Sequence, residues 1–477
     1  GFRLQAVSNE YVLHFLKHLN TNKSTGLDGI QARFLKDSAD IICKPVTCIV
    51  NLSITSNVVP DDFKCARVKP LYKKNSRLDV SNYRPVSILP ILSKLLERAV
   101  CDQLTEYLSC NHLIYEYQSG FRERFSTDTC LIHLHDYIKK NISFGLYTGM
   151  VLIDLQKAFD TVDHEILCKK LQAIGIESTS WFQSYLSNRK QLVTVDKCDS
   201  NYLNVSCGVP QGSILGPLLF LIYVNDMTMS VNCKLLLYAD DSCLLVSHKD
   251  PGYIASKLSE NMDNCSKWMV DNRLSLHVGK TEVILFGSKR KLSKVKDFNV
   301  TCNGNVLKRC DNVKYLGLKL DQSLDGSTLV NGIVKKVNGR IKFLYRQANF
   351  LNIKCKKTLC NALIQPHLDY ACSSWYSSVS SLHKSKLQIL QNKYIRYILG
   401  LDSRDHVGAE HFVKLNMTNV DKRVSQLKLN HIHNIFYDKC PLYLKDNFAR
   451  ISHQYNTRNC SVNFFVPRIT GCAHETF

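Results

Sequence analysis

The sequence lacks any Cys-x-x-Cys pair, although it holds 20 cysteines in 477 residues. The nearest spacings, Cys43/Cys48 and Cys355/Cys360, do not match zinc-ligand spacing. Zinc-ribbon and zinc-finger classes are thereby set aside, and the thiols read as reduced, intracellular and mostly core-filling. No secretory signal opens the chain and no run approaches the length of a membrane span, so no membrane partner is expected. There is no internal repeat and no low-complexity segment. Acidic residues are in short supply: 62 Lys+Arg against 41 Asp+Glu leave +21. Residues 322–477 hold 22 basic and 9 acidic residues, or +13, which leaves +8 upstream. Such a surface favours a polyanion, with simple solubility charge as the alternative.

What is present centres on Leu235-Leu236-Leu237-Tyr238-Ala239-Asp240-Asp241-Ser242-Cys243-Leu244-Leu245-Val246. Two apolar runs of strand length flank a short break, which predicts a tight hairpin with two carboxylates at its turn. Burying such a pair is costly without a cation, and carboxylate oxygens suit Mg²⁺. Taken alone, the stretch reads first as a solvated turn, and the rest of the chain reverses that preference. A second apolar strand, Gly149 to Ile153, ends in Asp154. If the two strands are neighbours in a β-α-β arrangement, Asp154, Asp240 and Asp241 meet, which is the donor set of a two-metal site. Lys280, just ahead of the strand Val283–Phe286, is placed to protonate a leaving pyrophosphate, or is a surface lysine.

Upstream, Ala66–Lys74 and Ser81–Ser87 read as a hairpin carrying Lys73, Lys74 and Arg84 near its tip. Such cations grip a triphosphate; a plain basic surface hairpin is the other reading. Leu92, Leu95, Leu96, Ala99 and Leu104 mark a core-facing helix. The polar loop Gln118-Ser119-Gly120-Phe121-Arg122-Glu123-Arg124 can hold a nucleic-acid backbone, with an aromatic able to stack a base. His164 reads as a helix-surface histidine. In Gly208-Val209-Pro210-Gln211-Gly212-Ser213, glycine is expected to let the backbone approach a ligand. Val313–Leu318 reads as a strand. Basic amphipathic helices follow near Val330–Tyr345, Lys356–Leu363 and Leu382–Leu399, and the last thirty residues as polar and irregular.

Six segments in order carry a family resemblance: Asn82-Tyr83-Arg84-Pro85-Val86-Ser87, Gln118 to Arg122, Lys157-Ala158-Phe159-Asp160-Thr161-Val162-Asp163-His164, Gly208 to Ser213, Tyr238-Ala239-Asp240-Asp241 and Tyr315-Leu316-Gly317. Together they resemble the reverse transcriptases of non-LTR (LINE-type) retrotransposons, with the jockey-like branch closest. The resemblance implies an α+β right-hand polymerase with fingers, a ferredoxin-like palm and a helical thumb. Its divisions would be an N-terminal extension (1–50), fingers (51–148), palm (149–320, with an inserted finger segment at 185–210), basic thumb and connection (321–450) and a C-terminal segment (451–477).

It also implies roles. Asp154, Asp240 and Asp241, with the Leu155 carbonyl, would ligate two Mg²⁺, with Mn²⁺ as a substitute. Phe159 would exclude a 2′-hydroxyl and so select dNTPs. Gln211 and Gly212 would line the nucleotide and template pocket, Lys73 and Arg84 would hold the triphosphate, and Tyr315, Leu316 and Gly317 would support the primer end. The implied activity is RNA-directed DNA synthesis on an RNA template from a DNA primer, in the nucleus or cytoplasm; a polymerase-shaped RNA-binding protein without activity is the alternative. No endonuclease residue set is present, so the chain reads as the polymerase portion of a longer protein.

Overall fold

The structure is a computed structural model and describes residues 1–446. The expectation for the last thirty residues lies outside the described range. The fold is mixed α and β, and the chain gathers into two compact units, each built from discontinuous stretches. One comprises Gly1–Phe121, Leu155–Asn232 and Asn264–His277; the other comprises Arg122–Asp154, Cys233–Asp263 and the chain from Val278. No helix of the described residues is long and apolar enough to cross a membrane.

The second unit is organised on an antiparallel sheet of β1 (Tyr147–Ile153), β2 (Lys234–Tyr238), β3 (Asp241–His248) and β4 (Glu282–Phe286). Its spatial order is β4-β1-β3-β2, with the short strand Lys308–Arg309 parallel to β4 at the edge. β1 is buried along nearly its whole length, which explains the apolar run from Gly149 to Ile153: both faces are covered. Gly149 in β1 is needed for that cover, because a Cβ there would strike the Ile254 and Leu258 side chains of the helix Pro251–Asp271. Within this unit that helix buries Ile254, Leu258 and Met262, residues at helical spacing on one face. Side chains such as Met150 and Val151, fully buried, each stabilise by about 1.5–3 kcal/mol relative to exposure.

After the sheet, Asn312–Tyr315 and Leu318–Asp321 form a two-stranded hairpin. This corrects the single strand expected over Val313–Leu318: the chain reverses at Leu316-Gly317. The helices Ser327–Tyr345, Ile353–Leu363 and Ser381–Leu399 follow, close to expectation. The helix Val420–Phe436 was not foreseen, since its apolar positions are diluted by polar ones.

The first unit holds the expected basic hairpin, Cys65–Tyr72 paired with Tyr83–Ile88. Cys65–Val68 also pairs in parallel with the strand Arg189–Val195. The helix Ile91–Cys110 buries Leu95, Leu96, Ala99 and Leu104. The helix Gly216–Val224 is buried on nearly every side, as an all-apolar helix must be. In the helix Ala32–Asp37, Ala32 and Leu35 are buried while Phe34 is 65% exposed. No disulfide occurs among the described residues. Cys43, Cys130, Cys243 and Cys265 are among the buried thiols, while Cys48, Cys110, Cys198, Cys207 and Cys355 are exposed, so core filling accounts for only part of them.

Candidate active site

In the second unit, the β2–β3 hairpin closes on the pair Tyr238↔Asp241, leaving Ala239 and Asp240 as a two-residue loop. Ala239 takes a positive φ of 57° and is buried, which fixes the turn. β1 lies directly beside β3, with Ile153 opposite Ser242. One step further along this register, Asp154 comes opposite Asp241. The sheet thus carries Asp154, Asp240 and Asp241 at one end, from residues 86 positions apart in the chain.

The expected burial of these carboxylates is not met. Asp240 and Asp241 are exposed, and the Asp154 side chain is 44% exposed. Water therefore solvates them, and mutual repulsion rather than desolvation is the force a cation would relieve. Among the described residues no three His, Cys, Asp or Glu side chains are gathered into a ready metal cluster. The donor chemistry nevertheless fits a hard divalent ion, because every donor is an oxygen. Lys280 shows the same preference: its Nζ stands 3.8 Å from Asp154 Oδ2, a cation already drawn to this carboxylate.

The hairpin turn Leu316-Gly317 belongs to the same unit. Both residues have positive φ, 44° and 83°. That is the backbone of a tight two-residue reversal, which suits glycine and strains leucine. The Tyr370 hydroxyl donates to the Leu316 carbonyl and holds it. Tyr315 is buried, its hydroxyl 3.8 Å from Cys130 Sγ.

In the first unit, the loop around Gln211 is knitted to the segment around Phe159. The Gly208 amide donates to the Val162 carbonyl at 2.7 Å, and the Val209 amide to the Phe159 carbonyl at 2.8 Å. His164 Nε2 meets the Gly208 carbonyl at 2.8 Å, so this histidine pins the loop and is not merely a surface residue. The Gln211 side-chain amide donates to Asp160 Oδ1 at 2.8 Å. The Ser87 amide donates to the Gln211 carbonyl at 2.7 Å. Gly208 and Gly212 have φ of 84° and 128°. A Cβ on Gly208 would lie 2.7 Å from the Asp160 carbonyl oxygen, and one on Gly212 would collide with that of Ser87. The glycines thus admit neighbouring backbone.

Phe159 stacks on Phe220, centroids 4.3 Å apart, and meets the edge of Phe121 at 6.1 Å. Gln118, Ser119 and Gly120 are buried, whereas Phe121, Glu123 and Arg124 are exposed, so the loop is internal at its start and presents Phe121 as an exposed aromatic. Lys73, Lys74 and Arg84 are exposed at the basic hairpin's tip, where the Lys73 amide donates to the Asn82 carbonyl at 2.8 Å. Leu155 is buried and bridges Leu276.

Residues 72–320, just over half of the chain, match the reverse transcriptase (RNA-dependent DNA polymerase) family. The chain belongs to the reverse transcriptase family. Among its relatives is the RNA-directed DNA polymerase from mobile element jockey of Drosophila funebris, 28% identical over 408 residues, covering 83% of this chain and 44% of that protein. The probable RNA-directed DNA polymerase from transposon BS of Drosophila melanogaster is 27% identical over 443 residues, 89% of this chain and 48% of its own length. The corresponding protein from transposon X-element of the same species is 26% identical over 393 residues, 80% and 43%. The resemblance to jockey-type elements read from the motifs is borne out. This reverse transcriptase chain spans under half the length of these curated relatives. Members of the family generally use divalent metal ions.

Several residues that hold the candidate residues of each unit in place escaped the sequence reading. Asp160 is the acceptor for Gln211, and burial pushes its carboxyl up while the Gln211 hydrogen bond opposes this. Tyr370 holds the Leu316 turn from the turn that follows the helix Gln365–Asp369, and nothing in its local sequence marks it. Glu97 had a signal: Ser93, Glu97, Val100 and Leu104 fall at helical spacing on the buried stripe, an odd place for a charge.

Proposed function

We propose that this chain is the polymerase portion of a non-LTR retrotransposon of the jockey-like branch. It would add dNTPs to a DNA primer's 3′ end, copying an RNA template. The observation that carries the reading is the end of the central sheet, where neighbouring strands present Asp154 and the Asp240-Asp241 turn with Lys280 alongside. In the reaction the primer 3′-oxygen bonds to the α-phosphorus, the α–β phosphoanhydride bond breaks, and pyrophosphate departs. Bound at the three carboxylates and the Leu155 carbonyl, two Mg²⁺ ions, with Mn²⁺ as a substitute, would favour the 3′-alkoxide and offset charge on the pyrophosphate. Lys280 would hand a proton to the leaving group. Lys73 and Arg84 would hold the triphosphate. Phe159 would bar a 2′-hydroxyl, and Gln211 and Gly212 would line the nucleotide pocket. Tyr315, Leu316 and Gly317 would steady the primer end.

In this reading the sheet is a ferredoxin-like palm: β4-β1-β3-β2 is the fourth-first-third-second strand order of that fold. Residues 51–148 with 185–210 form the fingers, residues 321–450 the thumb and connection, and the enzyme works inside the cell, in nucleus or cytoplasm.

Primer extension on an RNA template with dNTPs and Mg²⁺, wild type beside Asp240→Ala, is the test. Loss of synthesis in the variant alone is expected, by at least a thousandfold, or about 4 kcal/mol of transition-state stabilisation. Equal synthesis in both would refute the site. No synthesis in either, with RNA binding intact, would favour the binding-protein alternative.

A further inference from the structure

We propose that Glu97 is a positioning residue that anchors the loop bearing Gln211 and Gly212, and through it governs how tightly a dNTP is held. The inference rests on the reading of that loop as nucleotide-lining. Glu97 is 1% exposed, in the middle of the helix Ile91–Cys110. Both of its oxygens are in use. Oε2 accepts from the Ile214 amide at 2.7 Å, three residues past Gln211, and Oε1 accepts from the Tyr185 hydroxyl at 2.8 Å.

Tyr185 is itself clamped. Trp181 stacks parallel to its ring at 5.5 Å, and the Arg189 guanidinium sits 4.8 Å from the ring centroid. Arg189 Nη1 donates to the Tyr185 carbonyl at 2.9 Å. Glu97 therefore has one oxygen on a rigid brace and the other on the loop.

The loop passes this restraint on. Ser213 donates to the Pro210 carbonyl at 3.0 Å and accepts from the Gly216 amide at 2.9 Å, closing the turn around Gln211 and Gly212. Gln211 then reaches Asp160, next to Phe159. A carboxylate is a costly occupant for a buried helix stripe, and an apolar residue would fill it at less cost. What the apolar residue lacks is an acceptor for the Ile214 amide, which would be left unpaired in the interior. Burial pushes the Glu97 carboxyl up, while the Ile214 amide, the Tyr185 hydroxyl and the Arg189 charge pull it back.

The test uses the full chain. Glu97→Met matches the shape and removes both acceptors; Glu97→Gln keeps an acceptor for Ile214 and an amide that can donate to Tyr185. Glu97→Met should raise KM for dNTP at least fivefold with kcat within twofold. It should also speed amide hydrogen exchange across residues 206–215. Glu97→Gln should stay within twofold of wild type in both readouts. If Glu97→Met fails to fold, Tyr185→Phe decides, with a KM rise of twofold or more expected as the brace is lost. A lowered melting temperature with unchanged KM and unchanged exchange at 206–215 would overturn the proposal. A wild type that incorporates no dNTP would instead sink the functional reading, and the exchange measurement would still decide the anchoring.

Discussion

Phe159 illustrates how one side chain can serve two ends. Its ring packs on Phe220 and is half-buried, so its position is set by contacts that persist without substrate. If it bars a ribose, Phe159→Ala should raise rNTP incorporation relative to dNTP at least tenfold, equivalent to about 1.4 kcal/mol. The lost stacking should also lower stability, by less than the ~3 kcal/mol typical of a fully buried Phe→Ala change. The incorporation ratio and a urea melt separate the two effects, and an unchanged ratio would remove Phe159 from sugar selection. Lys280 is the other residue with two calls on it. Its ammonium approaches Asp154, and the proposed chemistry asks it to serve a leaving pyrophosphate. The site's positive charge is therefore supplied partly by the chain itself.

At the scale of elements, tight turns carry the candidate residues of the second unit. The Ala239-Asp240 loop sets one carboxylate at the turn and the next at the first position of β3. The Leu316-Gly317 turn places leucine at a positive φ, a conformation that costs of order 1 kcal/mol and persists only where neighbours hold it. Tyr370 is such a neighbour. Tyr370→Phe should therefore cost about 1 kcal/mol for the lost hydrogen bond. If the turn steadies the primer, it should also shorten extension products per binding event. A thermal melt beside a single-encounter primer-extension assay checks this; shortened products at unchanged stability would point to the turn's function, and full-length products would withdraw the primer role.

For the whole molecule, two buried histidines contribute to the response to acid. Burial pushes His135 down to about 3, assisted by the charges of Lys139 and Lys428, and His133 is likewise lowered to about 3. Both are neutral in the folded chain, whereas in the unfolded chain they take up a proton near pH 6.5. Their contribution is full above that pH and is lost as pH falls from about 6.5 towards 3. Urea midpoints should fall between pH 7 and pH 5. His135→Leu should flatten the slope in that window by up to about 1.4 kcal/mol per pH unit. An unaltered slope would show that His135 is not held neutral.

The sequence alone determined the strands that bear the carboxylates, because an apolar run broken by a polar dyad leaves few alternatives to a hairpin. It also determined the family, because six short segments stand in one order, and the basic helices, because their period is plain. It could not show that Asp240 and Asp241 lie at an exposed sheet end: local hydrophobicity surrounds them, and only strand length and register decide where a sheet stops. It could not show which neighbour requires the glycines of the Gln211 loop, since glycine fits close approach to a ligand and to backbone alike, and only the folded chain brings Asp160 and Ser87 against them. It merged the turn at Leu316-Gly317 into a strand, because leucine gives no local cue for a positive φ that a distant tyrosine maintains. The tertiary structure also decided Glu97, whose meaning is a pair of hydrogen bonds to residues 88 and 117 positions away in sequence. Local pattern fixes elements through side-chain periodicity, while long-range hydrogen bonds depend on which elements meet, and that is settled only when the chain packs.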